Sequence, residues 1–263
     1  PAAIGQGSVE FVKCSVYEEK TGPAVQVINS EGSDFGDDVT GEITVLAAAS
    51  LQPTFTELGA RFERDHPGAT VTFNFAGSSS LVTQLIQGAP ADVFASANAE
   101  NMTKAVDSGV VSGAPADFAA NTLTIVTAPG NPEGIQQFSD LADPDLQVVV
   151  CAPQVPCGAA TETIERSAAV TLKPVSEESS VTDVLGKVVS GQADAGLVYV
   201  TDAADAGDEV TEVPFPQAAA AVNVYPIAVL RNATNPVVAQ AFVDLVTGPQ
   251  GREVLASAGF AAP

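Results

Sequence analysis

The sequence predicts an α/β protein with largely parallel sheets, and two observations carry this prediction. From Glu42 onward, short apolar strand-like runs alternate with amphipathic helix-like runs over short connections, which is the pattern of strand–helix–strand units. Hydrophobic residues make up 46% of the 263 residues, enough for one large domain or two of ordinary size. The last helices follow a returning strand, so we expect two lobes joined by two crossings, with a cleft between them.

The first half of the chain alternates in regular order. EITVLAAA predicts a buried strand, and QPTFTELGARFERDHPG predicts a helix with Phe55, Leu58 and Phe62 on one face. ATVTFNF is strand-like and SSLVTQLIQG is helix-like. ADVFAS is strand-like, and NAENMTKAVDSG predicts a helix that begins after Asn98, a favoured N-cap residue.

The second half supplies further elements of both kinds. We expect strands at TLTIVTA, LQVVVCAP, ADAGLVYV and AVNVYPIAVL, and helices at AATETIERSA, SVTDVLGKVVSG, NPVVAQAFVDLVTG and PQGREVLASAG. Residues 1–40 differ from the rest, because two strand-like runs there are followed by an acidic, glycine-rich stretch. This N-terminal extension predicts either a hairpin with a linker or a mobile tail, and the choice stays open.

The charge balance excludes some partners. Ten Lys and Arg stand against 32 Asp and Glu, for a net charge of −22. Nucleic-acid binding needs clustered cations, so no nucleic-acid partner is expected, and an anionic membrane surface is disfavoured for the same reason. No apolar run reaches 18 residues, so we expect no transmembrane helix.

Two of the three cysteines are close together. Cys151 and Cys157 flank the turn-rich segment APQVP, a spacing that suits a small disulfide loop better than half of a zinc site. Two buried thiols are the alternative. A disulfide would indicate an oxidising, extracytoplasmic compartment. Cys14 is left over, either as a free thiol or as an intermolecular link.

Enzymatic chemistry has little support in the residues. A serine nucleophile needs a general base, and the only histidine, His66, lies in RDHPG, which predicts a helix-ending turn. The chain has no G-x-S-x-G elbow, no P-loop and no H-E-x-x-H motif. We therefore expect no enzyme, no catalytic residue and no metal ligand, and keep an extracytoplasmic serine hydrolase as the alternative of a different class.

Anion binding has better support, because a serine stands twice between a strand and a helix. LAAASLQPTF opens a helix after Ser50, and FAGSSSLV opens one at Ser78. A helix N-terminus presents unpaired N–H groups and a partial positive charge, which favour an oxyanion. In a parallel sheet both turns lie at the carboxyl edge, where ligands bind. Ordinary N-capping by serine is the alternative.

Several stretches together resemble one family. In this order they are ITVLAAASL, FAGSSSLVTQLIQGAPADVFASA, VPCG, SVTDVL and GLVYVTDA, and they resemble the periplasmic molybdate-binding proteins of bacterial ABC transporters from about Glu42 to the C-terminus. The resemblance implies a two-lobed type II periplasmic-binding-protein fold. It divides the chain into lobe I, residues 41–121 plus 225–263, and lobe II, residues 122–224, with hinges near residues 121–122 and 224–225.

The resemblance also implies a ligand set at matching positions. Ser50 and Ser78 would each donate a hydroxyl and a backbone N–H, and Tyr199 would donate its phenol hydroxyl. Cys157 and Val181 would each donate a backbone N–H, so that the predicted disulfide would brace an anion-binding loop. The family often has serine where this chain has Gly77, but the contacting position is the next one.

The implied function is an extracytoplasmic protein that captures molybdate or tungstate by neutral donors and delivers it to an ABC permease. We expect a monomer without a cofactor; whether a lipid anchor precedes the chain stays open. The same fold serving sulfate or another oxyanion is the near alternative. A weaker alternative is an adhesion module that interacts through residues 1–40.

Overall fold

The structure is a computed structural model that describes residues 39–263. The predicted hairpin or tail of the N-terminal extension and the fate of Cys14 lie outside the described residues. Among residues 39–263, none of the helices has both the length and the apolar character that crossing a membrane requires.

The strands of the described chain form two five-stranded sheets. Sheet I contains β1 (Gly41–Ala48), β2 (Ala69–Ala76), β3 (Val93–Ala95), β4 (Ala116–Asn121) and β10 (Asn223–Val229), in the order β2-β1-β3-β10-β4. Sheet II contains β5 (Leu123–Thr127), β6 (Val148–Cys151), β7 (Ser176–Glu178), β8 (Ala195–Tyr199) and β9 (Thr211–Val213), in the order β7-β6-β8-β5-β9.

One strand in each sheet runs against the other four. In sheet I, β1 is parallel to β2 and β3, and β10 is antiparallel to β3 and β4. In sheet II, β6 is parallel to β7 and β8, and β5 is antiparallel to β8 and β9. The strands β5 and β10 are also those by which the chain enters sheet II and returns to sheet I. The predicted α/β fold with two mainly parallel sheets is confirmed.

The described chain contains eight α-helices, of which the first six lie between strands and the last two follow β10. They are α1 (Gln52–Asp65), α2 (Ser78–Ile86), α3 (Ala99–Asp107), α4 (Pro156–Ala168), α5 (Val181–Val189), α6 (Val200–Ala206), α7 (Pro236–Thr247) and α8 (Pro249–Ser257). Helix α4 begins three residues before the predicted AATETIERSA, because Pro156 is well suited to the first helical position. This earlier start places Cys157 in the first turn of a helix.

Sheet I carries an apolar layer on each face. Side chains alternate along β1, so that Ile43 and Val45 pack with α1, α7 and α8, whereas Leu46 packs with α2 and α3. Sheet II has its own cluster, which includes Ile164 of α4 and Val184 of α5. Each sheet therefore has its own core.

Candidate functional site

Two helix starts lie side by side at one edge of sheet I. β1 and β2 are parallel and in register, with Ala48 opposite Ala76 where both strands end. Ser50 lies in a short 3-10 helix that leads into α1, and Ser78 is the first residue of α2. The parallel pairing of β1 and β2 therefore brings the two serine-led turns together at the carboxyl edge, as predicted.

Sheet II supplies three groups at its own carboxyl edge. Cys157 lies in the first turn of α4, which follows β6, and Val181 begins α5, which follows β7. Tyr199 is the last residue of β8. Because β6, β7 and β8 are mutually parallel, these three residues come to the same edge.

The structure brings all five predicted ligand-binding residues around one cavity. Ser50, Ser78, Cys157, Val181 and Tyr199 line it, and each is at most 5% exposed. The other lining residues are Ala48, Ala49, Gly77, Ala97, Val155 and Pro156. The cavity is small, with a volume of about 10 Å³ for the centre of a water-sized sphere, which fits a small ion and excludes a bulky organic solute.

The amides around this cavity are free of intrahelical partners. Ser78 and Val181 are first residues of their helices and Cys157 is a second residue, and the first four N–H groups of a helix have no acceptor within it. Three helix N-termini thus direct N–H groups and partial positive charge at one space. Such an arrangement can hold an anion without any cationic side chain.

The hydroxyl groups at the cavity have protein partners. The Ser78 Oγ accepts a hydrogen bond of 3.0 Å from the backbone N–H of Ala97. The Ser50 Oγ lies 3.0 Å from the Tyr225 hydroxyl, and the Tyr199 hydroxyl accepts a 3.0 Å bond from the Asn223 side-chain amide.

Burial keeps both phenols protonated. Desolvation is the main cause that raises the pKa of Tyr199 well above its usual value, and the nearby Tyr225 and Asp202 add to the shift. Desolvation likewise raises the pKa of Tyr225, although hydrogen bonding to Ser50 opposes the shift. Both hydroxyls therefore remain donors throughout the physiological pH range.

No charged side chain belongs to the residues that line the small cavity in the described chain. Within residues 39–263 there is also no group of three or more His, Cys, Asp or Glu that could hold a metal ion. The site can thus offer neutral donors to an oxyanion and lacks the carboxylates that a bare cation would need.

A wider groove of about 730 Å³ runs beside the small cavity. Ser50 lines both spaces, but the groove also contains the carboxylates of Asp202 and Asp205 and is open to solvent. The exposed carboxylate of Asp205 repels an anion, and an open groove leaves it hydrated. We therefore assign the candidate site to the small buried cavity rather than to the groove.

The predicted disulfide between Cys151 and Cys157 is confirmed. It joins the end of β6 to the first turn of α4, and so closes the loop that carries Pro156 and the Cys157 amide to the cavity. Gly158 fits there because a side chain at this position would overlap the carbonyl group of Ala152.

The other residues that the sequence offered as functional candidates do not line the cavity. His66 caps the C-terminal end of α1 and packs on Phe62, with ring centroids 4.7 Å apart. Ser79 and Ser80 belong to the first turn of α2 and do not line the cavity. Helix α2 begins at Ser78, which alone of the three serines lines the cavity.

Sequence reasoning missed the two polar residues behind the cavity, Asn223 and Tyr225. Both lie on β10, two positions apart, and both are buried, at 7% and 0% exposed. The signal was present in AVNVYPIAVL, because residues two apart share one face of a strand. Two polar groups on one face of an otherwise apolar strand indicate a buried hydrogen-bond network.

The chain matches the family model described as "Bacterial extracellular solute-binding protein" over residues 43–261. The molybdate-binding protein ModA of Mycobacterium tuberculosis (strain H37Rv) is 55% identical over 84% of this chain and 85% of the relative.

Two solved structures share the fold. The periplasmic molybdate-binding protein of Azotobacter vinelandii superposes with a TM-score of 0.74 at 22% identity, over 84% of this chain and 99% of that one. The sulfate-binding protein SubI of M. tuberculosis superposes with a TM-score of 0.72 at 20% identity, over 84% and 86% of the two chains. The chain therefore belongs to the family of bacterial extracellular solute-binding proteins that includes ModA.

Proposed function

We propose that this protein captures molybdate, or the closely similar tungstate, between two lobes and delivers it to an ABC permease in the membrane. The observation that carries the proposal is the small buried cavity lined by Ser50, Ser78, Cys157, Val181 and Tyr199. These residues come from both sheets, so that one bound ion would touch both lobes.

The donor chemistry suits a fully ionised tetrahedral dianion. Each of the five positions offers an O–H or N–H group, and molybdate near neutral pH only accepts hydrogen bonds. Preorganised neutral dipoles in a site that excludes water can hold such a dianion. Hydrogen phosphate carries a proton and needs an acceptor, which none of the five groups is placed to be. The acidic surface of the chain slows the encounter with an anion but leaves the local donors to set the affinity.

Sequence similarity favours molybdate over sulfate as the ligand. The M. tuberculosis relative named as molybdate-binding is 55% identical to this chain, whereas the sulfate-binding structure, at 20% identity, speaks only for the fold. Sulfate or another oxyanion remains the near alternative. The physical discriminator would be size, since a cavity fitted to the longer metal–oxygen bonds leaves a smaller ion with long hydrogen bonds.

Closure around the ion would create the form that the permease recognises. The proposed lobes are residues 41–121 plus 225–263 and residues 122–224, and the proposed hinges lie near residues 121–122 and 224–225. An ion that contacts both lobes stabilises the closed form through contacts that the open form lacks. We propose that the protein acts as an extracytoplasmic monomer without a cofactor or a nucleic-acid partner.

A serine hydrolase is not favoured. His66 ends α1 and Ser50 precedes its start, so the 14-residue helix separates them by about 20 Å. The Ser78 hydroxyl has the Ala97 amide as its partner instead of a base.

Calorimetric titration with molybdate, tungstate, sulfate and phosphate at fixed ionic strength tests the proposal. We expect tight binding of molybdate and tungstate, with sulfate and phosphate weak or silent. Tight binding of sulfate alone would favour the near alternative, and silence for all four would refute the proposed function. Loss of residues 1–40 should leave binding unchanged, whereas loss of binding would give that segment a role in the site.

A further inference from the structure

Two side chains form a layer behind the small cavity. Tyr225 and Asn223 contact the hydroxyl groups of Ser50 and Tyr199, but neither residue lines the cavity. They therefore cannot touch a bound ion directly, and any effect they have on the ligand must act through those two hydroxyls.

The Asn223 amide can only donate toward Tyr199. Its Nδ2 lies 2.8 Å from the carbonyl oxygen of Ala97 and 3.4 Å from that of Pro156. Carbonyl oxygens only accept hydrogen bonds, so these two contacts fix which end of the amide faces them. The same nitrogen lies 3.0 Å from the Tyr199 hydroxyl. Tyr199 therefore accepts from Asn223, and its own proton is left for another acceptor.

Tyr225 contacts the Ser50 hydroxyl as Asn223 contacts the Tyr199 hydroxyl. The hydroxyl groups of Tyr225 and Ser50 lie 3.0 Å apart, and either can donate to the other. Once the single proton of Ser50 is given to an anion, Tyr225 must be the donor of this bond. The Tyr225 ring is held for that role by edge contacts with Phe118 and Phe260.

Ser78 completes the pattern. Its Oγ accepts from the Ala97 amide, which has no other proton to give. Each of the three cavity hydroxyls thus has a protein donor on its oxygen, and each is left with one proton for the ligand. A hydroxyl that is already accepting has less capacity to accept a proton from the ligand.

We infer that Asn223 and Tyr225 are positioning residues that make the site select oxyanions without a proton, by turning the Tyr199 and Ser50 hydroxyls into obligatory donors. The inference rests on the proposed function, since it concerns the same anion site. It adds the two residues behind the cavity on which the discrimination between an unprotonated and a protonated dianion of similar size depends.

Selenate and hydrogen arsenate form the matched pair of ligands for the test. Near pH 8 both are tetrahedral dianions of similar size, and only hydrogen arsenate carries a proton. The variants are Tyr225→Phe and Tyr199→Phe, which remove one hydroxyl each from buried rings whose centroids are 5.9 Å apart, and Asn223→Ala, which removes the side-chain amide. Affinities are measured by competition against molybdate, because this method can also determine the affinity of weakly bound ligands.

The ratio of selenate to hydrogen arsenate affinity should change in two of the variants and stay constant in the third. In Tyr225→Phe the Ser50 oxygen is free to accept, so the ratio of selenate to hydrogen arsenate affinity should fall by about tenfold, the worth of one hydrogen bond. Asn223→Ala should shift the ratio in the same direction, because the Tyr199 oxygen loses its donor. Tyr199→Phe removes a donor to either ligand and should weaken both without moving the ratio.

A purely structural role for Tyr225 would weaken both ligands equally. An unchanged ratio in Tyr225→Phe and Asn223→Ala, or hydrogen arsenate that stays silent in both, would overturn the inference. Failure of wild-type protein to bind molybdate would instead refute the proposed function, so the two failures are distinguishable.

Discussion

The backbone carbonyl oxygen of Ser179 occupies the space that a side chain at Gly77 would need. Gly77 caps α2 at the edge of sheet I, and Ser179 follows β7 at the edge of sheet II. Their contact brings the two sheet edges together directly beside the cavity that Gly77 lines. In this chain the absence of a side chain permits the approach, because a Cβ atom at Gly77 would overlap backbone rather than a flexible side chain.

Gly77→Ala should therefore weaken molybdate binding while each lobe still folds. The added methyl group must push Ser179 away, and overpacking of this kind typically costs about 1–3 kcal/mol, which corresponds to roughly 5- to 150-fold in affinity. Calorimetric titration measures the loss. Gly186→Ala is the matched control, since Gly186 lies on α5 with nothing within 4 Å of the added atom. Equal affinities for the two variants would show that the contact does not limit closure.

Ser50→Ala and Ser78→Ala should each weaken molybdate binding by roughly 1.5–3 kcal/mol, the range for a hydrogen bond to a charged group. Both hydroxyls line the cavity, and each is held by a hydrogen bond to a protein group. Titration of each variant checks the loss. His66→Ala should bind like wild type, because His66 lies at the far end of α1. A large loss in the histidine variant would overturn the assignment of roles.

Removal of the disulfide should lower both stability and affinity. The bond closes a loop with a sequence separation of 6 between Cys151 and Cys157, and a loop of that length contributes roughly 2 kcal/mol on the chain-entropy model. Urea unfolding of the double variant Cys151→Ser, Cys157→Ser measures the free energy of unfolding. Affinity should fall as well, because this loop carries Pro156 and Cys157 to the cavity.

Cys14→Ser is the control for the cysteine chemistry. It leaves the closed loop intact, so it should change neither the free energy of unfolding nor the affinity for molybdate. A double variant as stable as wild type would mean that the loop is held by its packing and not by the bond.

The site residues could be predicted where local pattern and strand order agree. β1 and β2 are long, apolar and adjacent, so their parallel pairing followed from the alternation, and with it the meeting of Ser50 and Ser78. Cys157, Val181 and Tyr199 were reached only through the family resemblance. A backbone N–H, as at Cys157 and Val181, leaves no mark in the sequence, and Tyr199 has the pattern of an ordinary buried tyrosine at a strand end. Their convergence on one cavity depends on how two separate sheets face each other.

The short and polar strands could not be predicted. β7 reads SEE and β9 reads TEV, three residues each, and both are sheet edges whose pairing comes from tertiary structure. β4, ADFAAN, is rich in alanine and follows a proline, which points away from a strand. Asn223 meets Ala97 and Tyr199 across 126 and 24 positions of the chain, so the layer behind the cavity appears only in the folded molecule.

The buried carboxyl group of Asp202 should make the free energy of unfolding depend on pH. It is 7% exposed, lines the wide groove, and accepts a 3.0 Å hydrogen bond from the Tyr199 amide. Burial raises the pKa of this carboxyl to about 7; the Tyr199 amide opposes the shift and Asp205 adds to it. Between about pH 4 and pH 7 the folded protein therefore holds a proton that the unfolded chain has lost. Its contribution to stability falls as the pH rises through this window.

Asp202→Asn should remove that loss, because an amide cannot ionise but keeps an oxygen that can accept from the Tyr199 amide. The free energy of unfolding of the variant relative to wild type should rise between about pH 4 and pH 7 and level off above, as measured by urea unfolding at a series of pH values. Asp205→Asn is the matched control, because it makes the same substitution on the same helix at an exposed side chain. A difference for Asp202→Asn that stays constant from pH 4 to pH 8 would mean that this carboxyl is already ionised in the folded protein at low pH.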